Sequence, residues 1–393
     1  MVRQVDLCAQ YVVAVLRAML QQEPVPDVPE GLSLREVYSF SRRHAVESMV
    51  WYGLDSLKLQ QEPEIWQDWS ERMNVLMAQS ITQLSERDSI YKKLLANGID
   101  ILPVKGCWMK ELYDQIDYRQ MSDLDILIHE EDLARARVLM ESMGYERTHY
   151  GAGHDEAFQK KPYVTVELHY RLIEEGDPHA DFCDTIWERA RKVPGENGVR
   201  DRGTLYRMTP EDTYLYCLIH MEKHFRGSGC GVRYLLDLAV LEKNDPERNE
   251  AYVHTQLECL KLSAFAHQAE KLSHWWFAQD TACGEGAGEP AAQVFYDRVV
   301  RSGIYGTREL YVEQRIRILM EQGYGRTAAQ LRYFLERSFL PLRKMKAAYP
   351  VLSVLPILLP FCWIHRLVKA LLRKREVVRL ELMTAGKRSA IAE

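Results

Sequence analysis

The sequence predicts an α+β fold in which a compact α/β block lies between two helical regions. Three observations carry this expectation. Apolar residues recur at spacings of three and four through the first hundred positions. Short apolar runs with period-two alternation occupy residues 98–208, and helical periodicity returns from Thr209 onward. The expected organisation is a helical N-terminal region at 1–97, the α/β core at 98–208, a helical domain at 209–345 and a basic helical segment at 346–393.

Each element follows from its local pattern. Tyr11–Leu20 reads as a short apolar helix, and Arg42–Leu59 and Ile65–Gly98 as long ones. In the last of these, Trp66, Trp69, Met73, Leu76, Met77, Ile81 and Leu84 form an amphipathic stripe that is expected to pack against the following block. Ile99–Val104 is an apolar strand that turns out at Lys105-Gly106. Cys107–Tyr113 reads as a helix, Asp123–Ile128 as a second strand, and Glu130–Met143 as a helix closed by Gly144 as C-cap. A hairpin-like region follows at Tyr145–His149, Glu156–Lys160 and Tyr163–Tyr170. In its last strand Val164, Val166 and Leu168 share one face, and Thr165, Glu167 and His169 the other. Thr209-Pro210-Glu211-Asp212 is a strong helix start, with Thr as cap and Pro in the first turn. The glycine-rich stretch Gly227–Gly231 breaks that helix, and Val232–Leu241 resumes helically.

Composition narrows the function classes. A chain of 393 residues with 47% apolar content is excluded from disorder as a whole. A net charge of −5 argues against a dedicated nucleic-acid groove, so no stable nucleic-acid partner is expected. The eight cysteines are scattered without a Cys-x-x-Cys pair, which fits a reducing, cytoplasmic setting and no zinc cluster. The N-terminus has no signal-peptide layout. The one candidate membrane stretch, Tyr349–Val368, is broken by Pro350, Pro356 and Pro360 and carries His365 and Arg366, so a spanning helix is not expected. From Cys362 to Glu393 eight lysines and arginines face three glutamates; this basic segment either touches an anionic surface or is a solvated tail.

The most informative feature is Asp123-Leu124-Asp125 at the head of an apolar run. A strand turns positions i and i+2 to one side, so the two carboxylates share a face while Leu124 enters the core. A helix would separate them by about 200°. Side by side, they repel unless a positive charge lies between them. Glu167 is placed to complete a trio if its strand neighbours theirs, and three oxygen ligands suit Mg²⁺, with Mn²⁺ as the variant. Lys105 follows a strand directly and can neutralise phosphate, Gly106 allows close backbone approach, and the helix after it favours anions. Arg119 either clamps a phosphate or substrate acid or pairs with Asp117 or Asp123, and His169 lines the pocket or supports a ligand from behind.

Blander readings stand beside these. Asp123 and Asp125 would also suit a solvated strand edge or the cap of the helix at Glu130, and Lys105 an ordinary surface position. His154 with Asp155 is a weaker substitute for Glu167 as third ligand, or a pair of loop residues. His220 and His224 have a zinc-compatible spacing but lack the adjacent Glu of a His-Glu-x-x-His motif. Arg233 and Asp237, four apart on a helix, are expected to form an ion pair.

The string Lys105-Gly106, Leu112-Tyr113, Arg119, Ser122-Asp123-Leu124-Asp125 and Val166-Glu167-Leu168-His169 resembles the uncharacterised nucleotidyltransferase family of bacteria, a divergent branch of the polymerase-beta-like superfamily. The run from His220 to Phe225, the Gly229-Cys230-Gly231 turn and Leu236-Asp237 look like the helical half of the same family, as does the stretch from Tyr349 to Arg366. The resemblance implies a polymerase-beta-like core with a mixed sheet, and Asp123, Asp125 and Glu167 as metal-binding and catalytic trio. It implies that Lys105-Gly106 replaces the usual Gly-Ser turn, with Lys105 compensating for Cys107, which offers no strong donor. The implied activity is metal-dependent transfer of a nucleoside monophosphate from a nucleoside triphosphate such as ATP to a small-molecule or protein acceptor, with pyrophosphate released. Two rivals remain at this stage: another phosphoryl-transfer or phosphohydrolase enzyme on the same carboxylates, and a catalytically weak nucleotide-binding regulator.

Overall fold

The computed structural model describes residues 2–57, 62–148, 153–194, 202–278, 290–373 and 375–386. It divides into two compact units: residues 1–222 with 231–304, and residues 223–230 with 305–393. The expected boundaries at 97/98 and 208/209 fall inside the first unit, and 345/346 inside the second.

The first unit opens with α1 (Val2–Gln21), α2 (Leu34–Arg43), α3 (Glu47–Asp55) and α4 (Pro63–Ala96). The helix expected at Arg42–Leu59 is two helices, and its last positions lie outside the described residues. Ala45 takes a φ of 54°, which stops α2. The reason is the buried His44 ring beside it. Its Nδ1 accepts from the Val232 N–H at 3.1 Å, so its Nε2 donates to the Val300 carbonyl at 3.2 Å. Burial pushes this imidazole down to about 3, so it stays neutral and can accept.

Helix α4 carries the expected stripe with a change of membership. Trp69, Met73 and Leu76 are buried, whereas Ile81 is exposed and Ser80 and Gln83 take inward positions. These two polar residues are used. Ser80 Oγ accepts from the buried Lys110 ammonium at 2.9 Å, and Gln83 donates to the Met121 carbonyl at 3.0 Å. Periodicity counts apolar residues and so misses inward polar ones that satisfy a neighbouring loop.

Next comes the sheet. Its strands are β1 (Leu102–Pro103), β2 (Leu124–Leu127), β3 (Glu146–Arg147), β4 (Asp155–Lys160) and β5 (Val164–His169), ordered β1-β2-β5-β4-β3. The β2–β5 pairing is parallel and the others antiparallel, so the sheet is mixed. The short α5 (Gly106–Met109) follows β1, and α6 (Leu133–Ser142) lies between β2 and β3. The expected helix after Cys107 tightens into a 3-10 turn at Lys110–Leu112, and the one after Glu130 begins as another. Gly144 has a φ of 83°, as a left-handed C-cap requires.

Strand alternation sets the layers. Leu124, Ile126, Ile128, Val166 and Leu168 form one core with Ile90 and Leu94 of α4 and Ala136 and Met140 of α6. Asp125, Glu167 and His169 therefore stand on the opposite face. The unit continues through α7 (Ala180–Asp184), α8 (Ile186–Arg189) and a two-stranded ribbon, β6 (Arg191–Lys192) with β7 (Tyr206–Arg207). Helix α9 (Pro210–Arg226), which belongs to this unit as far as Glu222, starts as expected, with Thr209 Oγ1 accepting from the Asp212 N–H at 3.1 Å. Helices α10 (Val232–Asn244), α11 (Glu250–Cys259), α12 (Ser263–Phe277) and α13 (Pro290–Ser302) complete it.

The second unit holds α14 (Arg308–Glu321), α15 (Arg326–Ser338), α16 (Leu342–Ala348), α17 (Leu359–Arg373) and α18 (Arg375–Gly386). Val312, Ile316, Leu319, Ala329 and Tyr333 form one small core there, and Met345, Leu352 and Cys362 another. Among the described residues no helix is long and apolar enough to cross a membrane.

Candidate active site

The site is built on adjacent parallel strands. Asp125 of β2 is in register with Glu167 of β5, so their side chains leave the sheet side by side. His169 is two residues along β5 on the same face, opposite Asp155 of β4. Asp125 and His169 are buried and Glu167 keeps partial solvent contact.

Both side-chain donors to Asp125 meet one oxygen. Lys105 Nζ donates to Oδ1 at 2.8 Å, and His169 Nε2 lies 2.9 Å from that atom and 3.4 Å from a Glu167 oxygen. A carboxylate only accepts, so Nε2 carries the proton. Burial pushes the Asp125 carboxyl up, but Lys105 and His169 outweigh it and hold the group far below the usual carboxylate range. Burial would likewise lower both Lys105 and His169; Asp125 keeps the ammonium well above its ordinary value, and the bonds to Asp125 and Glu167 raise the imidazole.

Asp123 behaves differently. Burial first, then Asp125 and Glu167, push its carboxyl up to about 6. It precedes β2 by one residue and lies outside the ladder, where its Oδ1 accepts from Ser122 Oγ at 2.9 Å. Among the described residues two groups bring ligand atoms within 4.8 Å of one another: Asp125 with Glu167 and His169, and His154 with Asp155 and His169. Asp123 belongs to neither. Alternation is enforced only within the ladder, and Asp123 stands at its edge.

Lys105 is held by an unusual backbone. It takes φ 50° and ψ −125°, and the Cys107 N–H closes the turn onto the Val104 carbonyl at 3.2 Å. That first central position with φ above zero is the one glycine favours. Here the lysine occupies it and glycine comes second. Gly106 is required for packing: a Cβ would lie 2.7 Å from Arg119 Nη1 and 2.9 Å from the Met121 sulfur. The helix it begins is four residues long, too short for much of a dipole.

Arg119 is engaged with Asp237 of α10. Its Nε and Nη2 donate to the two carboxylate oxygens at 2.8 and 2.9 Å, and Tyr113 donates to Oδ1 at 2.6 Å. Neither expected neighbour, Asp117 or Asp123, is its partner. The expected Arg233–Asp237 pair is replaced as well, and Arg233 donates to the Gln120 carbonyl at 2.9 Å. The planar fork of Arg119 meets both oxygens at once, a bidentate pairing that occupies the carboxylate.

Tyr216, buried on α9, lies near enough for Lys105 and Asp125 to act on its phenol, which burial pushes well up. Nothing in its surrounding sequence marks it. Asp155 was legible as a loop residue or, with His154, a weaker substitute ligand, and the pairing of β4 with β5 brings it opposite His169.

A family model described as uncharacterised nucleotidyltransferase matches residues 31–278, which covers the sheet, the carboxylates and α9 to α12. Comparison with curated proteins and with solved structures gives no match.

Proposed function

The chain belongs to the uncharacterised nucleotidyltransferase family, and from this premise we propose that it moves a nucleoside monophosphate from a nucleoside triphosphate to a small-molecule or protein acceptor, using Asp123, Asp125 and Glu167 with a divalent cation. One observation supports the reading: the Asp125–Glu167 register, which sets two carboxylates together on the sheet face opposite α4 and α6. The donor set fits a hard cation. Its ligands would be carboxylate oxygens, and Asp123, raised first by burial and then by the neighbouring Asp125 and Glu167, would be favoured in its charged form by a cation. Bound Mg²⁺ or Mn²⁺ would supply charge neutralisation on the triphosphate and on departing pyrophosphate.

The chain's own groups have separable tasks. Asp125 uses Oδ1 for Lys105 and His169, and its Oδ2 would hold the cation. Lys105 supplies an ammonium beside the phosphates. Glu167, the most accessible carboxylate of its cluster, takes the proton of the acceptor. The acceptor oxygen then bonds to the α-phosphorus, and the bond from that phosphorus to the bridging oxygen breaks to release pyrophosphate. His169 fixes the Asp125 carboxylate, and Gly106 and Arg119 hold the lysine turn in place. Positioning and electrostatics provide most of the acceleration.

The test measures pyrophosphate release over a panel of labelled nucleoside triphosphates and acceptors with Mg²⁺ or Mn²⁺, beside calorimetric metal binding. D125N and E167Q are expected to lose release by at least about a hundredfold. Release that persists in D125N, or metal affinity unchanged in D123A/D125A, refutes the assignment.

A further inference from the structure

The second unit carries an exposed apolar surface of its own. Helix α17 buries Cys362 and part of Trp363 against Met345, Leu352 and Tyr349, and Trp363 donates to the Leu340 carbonyl at 2.8 Å. That contact accounts for one side of the helix. The opposite side exposes Phe361, Ile364, Val368 and Leu372, at spacings of three, four and four. Just before it, Val354 and Ile357 are 79% and 80% exposed. Isolated surface leucines need no explanation, but a continuous apolar ridge does.

The sequence that carries the ridge is one-sided in charge. From Arg337 to Arg375 the chain has nine arginines and lysines and no aspartate or glutamate, in a protein of net charge −5. Lys344, Lys346 and Lys369 are exposed. A second copy of this face would bring like charges together, so self-association is disfavoured. A nucleic-acid backbone would satisfy the cations and leave the apolar ridge in water. An anionic bilayer satisfies both, with phosphates for the cations and acyl chains for the ridge.

We propose that this face docks on an anionic lipid surface, with α17 lying in the headgroup plane. At 15 residues the helix is about 22 Å long, short of the roughly 30 Å hydrocarbon core, so it lies on the membrane. The proposal is independent of the nucleotidyltransferase reading.

The test uses the full chain and vesicle flotation. Vesicles are phosphatidylcholine alone or phosphatidylcholine with about one-third phosphatidylglycerol, at low salt and at about 0.5 M salt. The expected result is flotation with the anionic vesicles only, lost at high salt. F361E/I364E lowers the partition coefficient more than about tenfold. K344Q/K369Q lowers it about 25-fold, roughly fivefold for each charge. V354E/I357E, outside the helix, gives the same loss as F361E/I364E and separates surface loss from unfolding, with thermal melts as a check. No flotation, or equal flotation with neutral vesicles, overturns the proposal. So does a wild-type dimer by light scattering that F361E/I364E dissolves, or nucleic-acid binding that F361E/I364E retains.

Discussion

Replacing Lys105 separates two opposed energies at the site. Its backbone, at φ 50° and ψ −125°, costs a side-chain-bearing residue about 1–3 kcal/mol. Its ammonium meets the buried Asp125 at 2.8 Å, and breaking a buried pair by deleting one partner costs about 3–5 kcal/mol. His169 remains on the same oxygen, so the smaller figure applies. K105M keeps the strain and loses the pair, and should lose about 3 kcal/mol. K105G loses the pair but relaxes the turn, and should lose about 0–2 kcal/mol. Glycine is therefore expected to be the more stable variant, opposite to its usual rank. Urea unfolding reads this as midpoints at equal m. Both variants should lose pyrophosphate release, because neither restores the ammonium. A K105G protein less stable than K105M would refute the claim that the turn is strained.

Three further outcomes follow from the geometry. D237N, which leaves the Arg119 guanidinium buried beside a neutral amide, should cost about 3–5 kcal/mol, and R119M/D237L should recover part of that in denaturant unfolding. G106A should lose about 1–3 kcal/mol through overpacking, since Arg119 is locked by Asp237 and cannot withdraw; calorimetric melting checks it. Folding raises the Asp123 carboxyl from 3.8 to about 6, so the folded chain binds that proton more tightly than the unfolded one. Its contribution to stability therefore falls as pH rises from about 4 through about 6. D123N should gain on the wild type across that window and show no advantage below it, and saturating Mg²⁺ should erase the gain at neutral pH; unfolding at a series of pH values tests both.

Much of the core was legible from local pattern. The alternation in Asp123–Ile128 and Tyr163–Tyr170 placed Asp125, Glu167 and His169 on faces opposite the apolar residues, and the strands confirm those sides. Thr209 as cap and Gly144 as left-handed stop were equally readable, because each acts on backbone groups a few residues away. The α4 stripe was read less well, since Ser80 and Gln83 turn inward to partners that no period reveals. The break at Ala45 escaped for the same reason, as it depends on backbone groups of Val232 and Val300.

Pattern within a strand or helix repeats over two to four residues, so those residue types alone chose the faces on which the acids stand. Partners across the sheet and between helices obey no such period. The parallel match of Asp125 with Glu167, the transfer of Asp237 from Arg233 to Arg119, and the arrival of Tyr216 beside Lys105 all depend on chain closure over long separations. So does the reversed order of the Lys105-Gly106 turn, in which Arg119 and Met121 reserve the glycine for packing and leave the lysine the strained position. Whether a charge in this protein faces a substrate or another charge was decided at that level, because a side chain's partner is set by what folding brings within about 3 Å of it.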